Sequence, residues 1–168
     1  MPELPEVETT RRGISPHIKN RLVKKITVRQ KNLRWEVSKN LSKEVSGNTI
    51  DKVLRRGKYL LLESAKGTIL IHLGMSGSLR VIEATKPAGK HDHVDFILEN
   101  GTSLRYTDPR RFGCILWHKK GSGIHPLLLH LGPEPLSAEF QHLNLYKNSR
   151  GRSVLIKSFI MDSKTVVG

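Results

Sequence analysis

The sequence predicts an α+β fold: an N-terminal helix plus an antiparallel β-sandwich, followed by the start of a helical domain. Three observations predict it. "PEVETTRRGI" near the start combines good helix formers with acids in its first turn. From Leu22 to His118, short β-rich runs recur about every 10 residues with turn signals between them. Beyond "KKGSGIHP" the apolar residues fall at helical spacing instead.

The first helix is expected to end near Gly13, with Pro2 where a first-turn proline is tolerated and its acids complementing the helix dipole. The expected strands are "LVKKITVRQ", "TIDKVLRR", "KYLLLES", "TILIHL", "GSLRVIEA", "HVDFILEN", "SLRYTD" and "CILWHK". Turns such as "ESAKG", "TKPAGK" and "ENG" separate several of them. "PLLLHLG", "LSAEFQHLNLY" with Ser137 as N-cap, and "SVLIKSFIMD" read as helices. A boundary is expected between residues 119 and 126, giving units at 1–120 and 121–168. A helical unit that small has little core of its own.

Charge narrows the partner. Lys and Arg number 29 against 15 Asp and Glu, with a pI of about 10.2, so the surface field attracts polyanions, nucleic acid first among them. No apolar run approaches the roughly 20 residues of a spanning helix, and the acidic start is unlike a signal peptide, so no membrane partner is expected. Cys114 is the only cysteine, which leaves no disulfide framework or thiolate cluster and fits a reducing cytoplasm. Its apolar run makes it a small buried hydrophobe.

Several residues could carry chemistry. If Met1 is removed, Pro2 presents a secondary amine that titrates near 8 and forms a cationic iminium with an aldehyde-like carbon; alternatively Pro2 only starts the helix. Glu3 is near enough to serve that amine as general acid or base, or else it is a helix-dipole carboxylate, as Glu6 and Glu8 are. Lys58, at the basic edge "RRGK", is a phosphate contact, a proton-transfer lysine or an edge lysine. Met75 in "HLGMSGSLR" is either a wedge that enters a base stack or a cover for the end of the sandwich. "YTDPRRFG" offers Arg110, Arg111 and Phe112 for phosphates and a base. His91 and His93 share a strand face in "KHDHVD", but no third ligand follows, so His91 reads as a phosphate donor rather than a metal ligand. The glycine patterns match neither a P-loop nor a dinucleotide fingerprint. Trp35 and Trp117 are left as core or surface residues.

Taken together, "MPELPEVETTRRGI", "RRGKYLLL", "IHLGMSGSLR", "KHDHVD", "YTDPRRFG", "LGPEPL" and "IKSFIMDSKTVVG" closely resemble the bacterial formamidopyrimidine-DNA glycosylases over the whole sequence. The resemblance implies a base-excision enzyme that flips 8-oxoguanine and formamidopyrimidines out of double-stranded damaged DNA, excises the base and nicks the strand by β-elimination or β,δ-elimination. Pro2 matches the family's nucleophile, Glu3 its general acid/base and Lys58 the lysine of proton donation. Met75, Arg110 and Phe112 match the trio that fills the gap and probes the opposite cytosine. His91, Arg110, Arg152 and Lys157 fall at or near backbone-contact positions, with Arg152 where lysine is common.

The resemblance makes 1–120 the catalytic unit and 121–168 part of a helix-two-turn-helix domain within which the sequence ends. It also implies one structural zinc in a four-cysteine finger, for which these residues hold no ligands. A monomer acting in the bacterial cytoplasm, on the nucleoid, is expected. The competing readings are a non-catalytic DNA-binding module and a basic RNA-binding protein, the latter without RNA-recognition motifs.

Overall fold

The computed structural model describes residues 2–168, so the expected loss of Met1 lies outside the described residues. Helix α1 runs Leu4–Ile18, past the expected end at Gly13. Its apolar stripe explains the extension. Val7, Ile14 and Ile18 are all buried, and burying two further isoleucines outweighs the roughly 1 kcal/mol that a mid-helix glycine costs. The start also differs from expectation. Pro5 occupies the first turn, while Pro2 lies ahead of the N-cap Glu3 and outside the helix. The Glu3 amide donates to the Glu6 carboxylate at 2.9 Å, which closes the helix start.

Two antiparallel sheets follow. Strands β1 (Arg21–Val28), β2 (Thr49–Ile50), β6 (Ser78–Glu83), β7 (Asp92–Leu98) and β8 (Thr102–Thr107) form one, in the order β2-β1-β7-β8-β6. Strands β3 (Lys52–Arg56), β4 (Tyr59–Ser64), β5 (Gly67–His72) and β9 (Cys114–Lys119) form the other, in the order β3-β4-β5-β9. The expected single run "TIDKVLRR" is in fact two strands of different sheets. The chain crosses over at Asp51, whose amide donates to the Glu63 carbonyl at 2.7 Å. Ile50 and Val53 are both buried, so each half contributes to the shared core. That core joins Leu60, Leu62, Ile69 and Ile71 of one sheet to Phe96, Leu98, Leu104 and Tyr106 of the other, with Val7, Ile14 and Ile18 of α1.

A short helix, α2 (Leu41–Val45), interrupts the β-rich region. The sequence reading missed it because five residues offer one i,i+4 apolar pair, Leu41 and Val45, which pack into the core.

Beyond Lys119 the helices are short: α3 (Pro126–Leu129), α4 (His142–Ser149) and α5 (Ile156–Ile160). The expected cap at Ser137 is not one. Gln141 precedes α4, and the Ser137 hydroxyl donates to the Glu134 carbonyl at 3.0 Å in a turn. Two prolines in "GPEPLSAEF" hold this stretch out of helix. Burial is thin here. Among the described residues from 120 onward, the buried hydrophobics are Phe159 and Val167, whereas Leu136 is 98% exposed.

Candidate active site

Two groups of side chains meet where α1 begins and the loops at one end of the sandwich converge. The first is an ion pair. Glu3, at the mouth of α1, is bonded to the ammonium of Lys58, which stands at the β3–β4 turn directly after Gly57. Gly57 has φ +57°, a conformation that favours glycine, and a Cβ there would just touch Val167 at 3.4 Å. Pro2 directly precedes Glu3 and is half-buried.

The turn that carries Lys58 is clamped from both sides. Glu8 of α1 accepts from Arg55 at 3.1 Å and from Arg11 and Arg12 at 2.8 Å each. The Arg11 guanidinium, working against burial and aided by Arg12 and Arg55, holds the Glu8 carboxyl down at about 2. Glu134 accepts from Arg55 at 2.8 Å, Arg56 at 3.2 Å and the Gly57 amide at 2.7 Å. Burial pushes the Glu134 carboxyl up, but the Gly57 amide and the two arginines prevail and hold it below its ordinary value. Arg56 also donates to the carbonyls of Leu131 and Gly132 at 2.9 and 2.6 Å. Arg55 and Arg56, expected as a basic edge beside Lys58, are thus committed to internal carboxylates and carbonyls.

The second group lines a cleft of about 640 Å³ bounded by Leu33, Arg34, His72, Met75, Arg110 and Phe112 among others. Met75 is 41% and Phe112 46% exposed, and the Arg110 guanidinium lies 4.8 Å from the centre of the Phe112 ring. The loops bearing them touch backbone to backbone. Gly74 has φ +61°, and a Cβ there would meet the Phe112 carbonyl carbon at 2.4 Å. Met75 is therefore not tucked over the end of the sandwich; its side chain is open to the cleft.

His72 links the two groups, and sequence reasoning passed over it. Its ring packs against Tyr59 at 4.9 Å, and Tyr59 pairs with it across β4 and β5, one residue from Lys58. Burial, then Arg34 and Lys58, hold the His72 imidazole below its ordinary value, with Glu3 opposing. Its Nδ1 accepts from the Gly74 amide at 3.0 Å, which leaves the ring neutral and seated. The available signal was a histidine closing an apolar strand immediately before the Gly74–Gly77 loop.

His91 and His93 are not an equivalent pair. His93 is buried with its Nε2 2.7 Å from the Asp108 carbonyl oxygen, while His91 precedes β7 and meets it edge-on at 6.5 Å. The bulge between Asp92 and Val94 breaks the shared face. Arg105 fixes the preceding turn by donating to the carbonyls of Lys86 and Pro87 at 2.9 Å each. Arg152 and Lys157 stand apart on the helical stretch. Arg152 donates to the Asn148 carbonyl at 2.5 Å and lies over the Phe159 ring at 5.1 Å, and Lys157 is exposed on α5.

The described residues do not fit a zinc ion. Cys114 is buried, its thiol pushed up to about 11 by that burial, and no group of three His, Cys, Asp or Glu side chains among the described residues is arranged around a metal. No helix of the structure is long and apolar enough to cross a membrane.

Known proteins resemble this chain in sequence and in fold. The profile of the formamidopyrimidine-DNA glycosylase N-terminal domain matches residues 1–115. The formamidopyrimidine-DNA glycosylase of Stutzerimonas stutzeri is 55% identical, and that of Saccharophagus degradans 54%, each over all 168 residues. The chain spans 62% of the length of these relatives. Among solved structures, Lactococcus lactis formamidopyrimidine-DNA glycosylase non-covalently bound to DNA with an AP site superposes with a TM-score of 0.91 at 30% identity, covering 99% of this chain and 65% of that one. The same enzyme with DNA containing N7-benzyl-Fapy-dG gives a TM-score of 0.91 at 31% identity, covering 99% and 62%. With a family domain matched over more than half of its residues, the chain belongs to the formamidopyrimidine-DNA glycosylases.

Proposed function

We propose that this chain excises oxidised purines, 8-oxoguanine and formamidopyrimidines, from duplex DNA and then cleaves the strand as an AP lyase. The observation that carries the reading is the Glu3–Lys58 ion pair beside Pro2, at the edge of a cleft that gathers Met75, Arg110 and Phe112. Once Met1 is removed, the Pro2 nitrogen is a secondary amine, partly unprotonated at neutral pH. It attacks C1′ of the flipped nucleoside, the glycosidic bond breaks, and the base leaves with a proton. Opening of the sugar gives an iminium ion. Its fixed positive charge accepts the electron pair released when the neighbouring carbon loses a proton, and the 3′ phosphate departs. Glu3 and Lys58, already sharing a proton contact, exchange protons in these steps. Met75, Arg110 and Phe112 occupy the gap in the stack, which offsets part of the few kcal/mol spent on unstacking. His91, Arg110, Arg152 and Lys157 contact phosphates. The protein acts as a monomer, with residues 1–120 holding the chemistry and 121–168 contributing to DNA binding.

Borohydride trapping on 8-oxoguanine duplex tests the reading. Wild-type protein gives a covalent adduct; an N-terminal extension that acylates the amine abolishes it, and Pro2→Gly, whose primary amine gives an imine that is cationic only when protonated, lowers it. Unchanged trapping in either variant overturns the mechanism.

The thin burial beyond Lys119 favours a second reading, a DNA-binding module without catalysis. Binding to an abasic-site duplex that falls with salt, with no strand nicking, would support that reading over the first.

A further inference from the structure

Asp108 is completely buried at the end of β8, and no ion pair among the described residues includes it. A buried carboxylate without a cation is costly unless its oxygens are fully hydrogen-bonded. Here they are. Oδ2 accepts from the Tyr106 hydroxyl at 3.0 Å and from the Gly113 amide at 2.9 Å, and Oδ1 accepts from the Ser76 hydroxyl at 2.6 Å. The partners come from different loops. Ser76 adjoins Met75, whereas Gly113 adjoins Phe112. The Ser76 hydroxyl also accepts from the Arg110 amide at 3.0 Å, so one oxygen joins the Met75 loop to the Arg110 loop. The Asp108 backbone extends the same device. Its amide donates to the His91 carbonyl at 3.0 Å, and its carbonyl accepts from the Arg111 amide at 3.2 Å. Arg111 sits at φ +59°, a strained conformation for a non-glycine residue that persists only where its surroundings over-determine it.

We propose that Asp108, acting through Ser76, is the positioning residue that sets Met75 against Arg110 and Phe112, and thereby fixes how the cleft reads the base opposite a lesion. The inference rests on the reading of Met75, Arg110 and Phe112 as a DNA wedge. A carboxylate suits the task because its acceptors are fixed and it donates nothing, so each loop must present its donor at one place. Leucine at 108 comes close to the carboxylate in shape but offers no acceptor, so the Ser76 hydroxyl and the Gly113 amide would both lose their anchor.

The test uses duplexes carrying a tetrahydrofuran abasic analogue opposite cytosine or adenine, with 2-aminopurine beside the analogue to report unstacking. Asp108→Leu and Ser76→Ala are expected to weaken binding to the cytosine duplex by at least about tenfold, the factor for one lost buried hydrogen bond, and to lower the fluorescence change. Tyr106→Phe removes a donor to the same carboxylate, beside Gly113, and leaves the Ser76 hydroxyl bonded to Asp108 and to the Arg110 amide. It is expected to lower thermal stability while keeping the cytosine preference and the fluorescence change. If Asp108→Leu does not fold, Ser76→Ala decides. The inference is overturned if Ser76→Ala keeps both readouts, or if Tyr106→Phe loses them to the same degree. Failure of the wild type to bind either duplex would instead overturn the proposed function beneath it.

Discussion

The sandwich and the helical stretch are built on opposite principles. From Val7 to Ile115 one core cluster fastens α1 and two sheets through large aliphatic and aromatic side chains, many with no solvent exposure at all. Beyond Lys119, Leu136, Leu143, Tyr146, Leu155, Ile156 and Met161 stay exposed, and what ties the stretch to the sandwich is largely polar: Glu134 on Arg55, Arg56 and Gly57. The difference teaches where precision resides. Pro2, Glu3, Lys58 and the Met75, Arg110 and Phe112 cleft all hang from the rigid half, while Arg152 and Lys157 sit on the half with little packing of its own.

Mutations can break this contrast, beginning with the largest effect. Phe96→Ala should cost about 4 kcal/mol in urea unfolding, since it empties a fully buried site, while Leu136→Ala should stay within about 0.5 kcal/mol. Equal losses would mean that the two regions share one cooperative core.

Gly74→Ala should come next, at about 2 kcal/mol, because its Cβ meets the Phe112 backbone at 2.4 Å in a left-handed conformation. Binding to abasic duplex should fall with it, as the loops bearing Met75 and Phe112 are forced apart. Glu134→Ala should cost about 2 kcal/mol by leaving the Gly57 amide without its acceptor and removing one of several acceptors from Arg55 and Arg56. Limited proteolysis should then cut within 120–168 faster while the sandwich stays intact.

A separate effect lies in pH. Glu8 falls from an ordinary 4.5 to about 2 in the folded protein. A depressed carboxylate stabilises fully above its unfolded value and loses that contribution as pH drops through the folded one. Thermal midpoints should therefore be level with respect to Glu8 above pH 4.5 and decline toward pH 2, and Glu8→Gln should flatten that acid limb.

Much of the architecture was legible in the sequence because it is written in local pattern. The strand runs from "LVKKITVRQ" to "CILWHK" each became strands, since alternation and turn residues act over a few positions. Where expectation failed, distant contacts decided. Gly13 did not end α1 because Ile14 and Ile18 found a core beyond it. "TIDKVLRR" divided because its halves pair with different sheets. Ser137 lost its cap role to a proline-held turn. In the candidate site, Pro2, Glu3, Lys58, Met75, Arg110 and Phe112 were each singled out from residue type and motif, but their meeting was not visible.

The sequence by itself determined the α+β class, the basic surface, the family and the residues worth watching, because composition, period and motif are properties of neighbours along the chain. Only the tertiary structure decided that Arg55 and Arg56 serve Glu8 and Glu134, that His72 bridges the ion pair and the cleft, and that Asp108 fastens two loops. Those facts depend on which groups, tens of residues apart, are brought out of water within hydrogen-bond reach of each other. Burial and distance of that kind have no signature in local order.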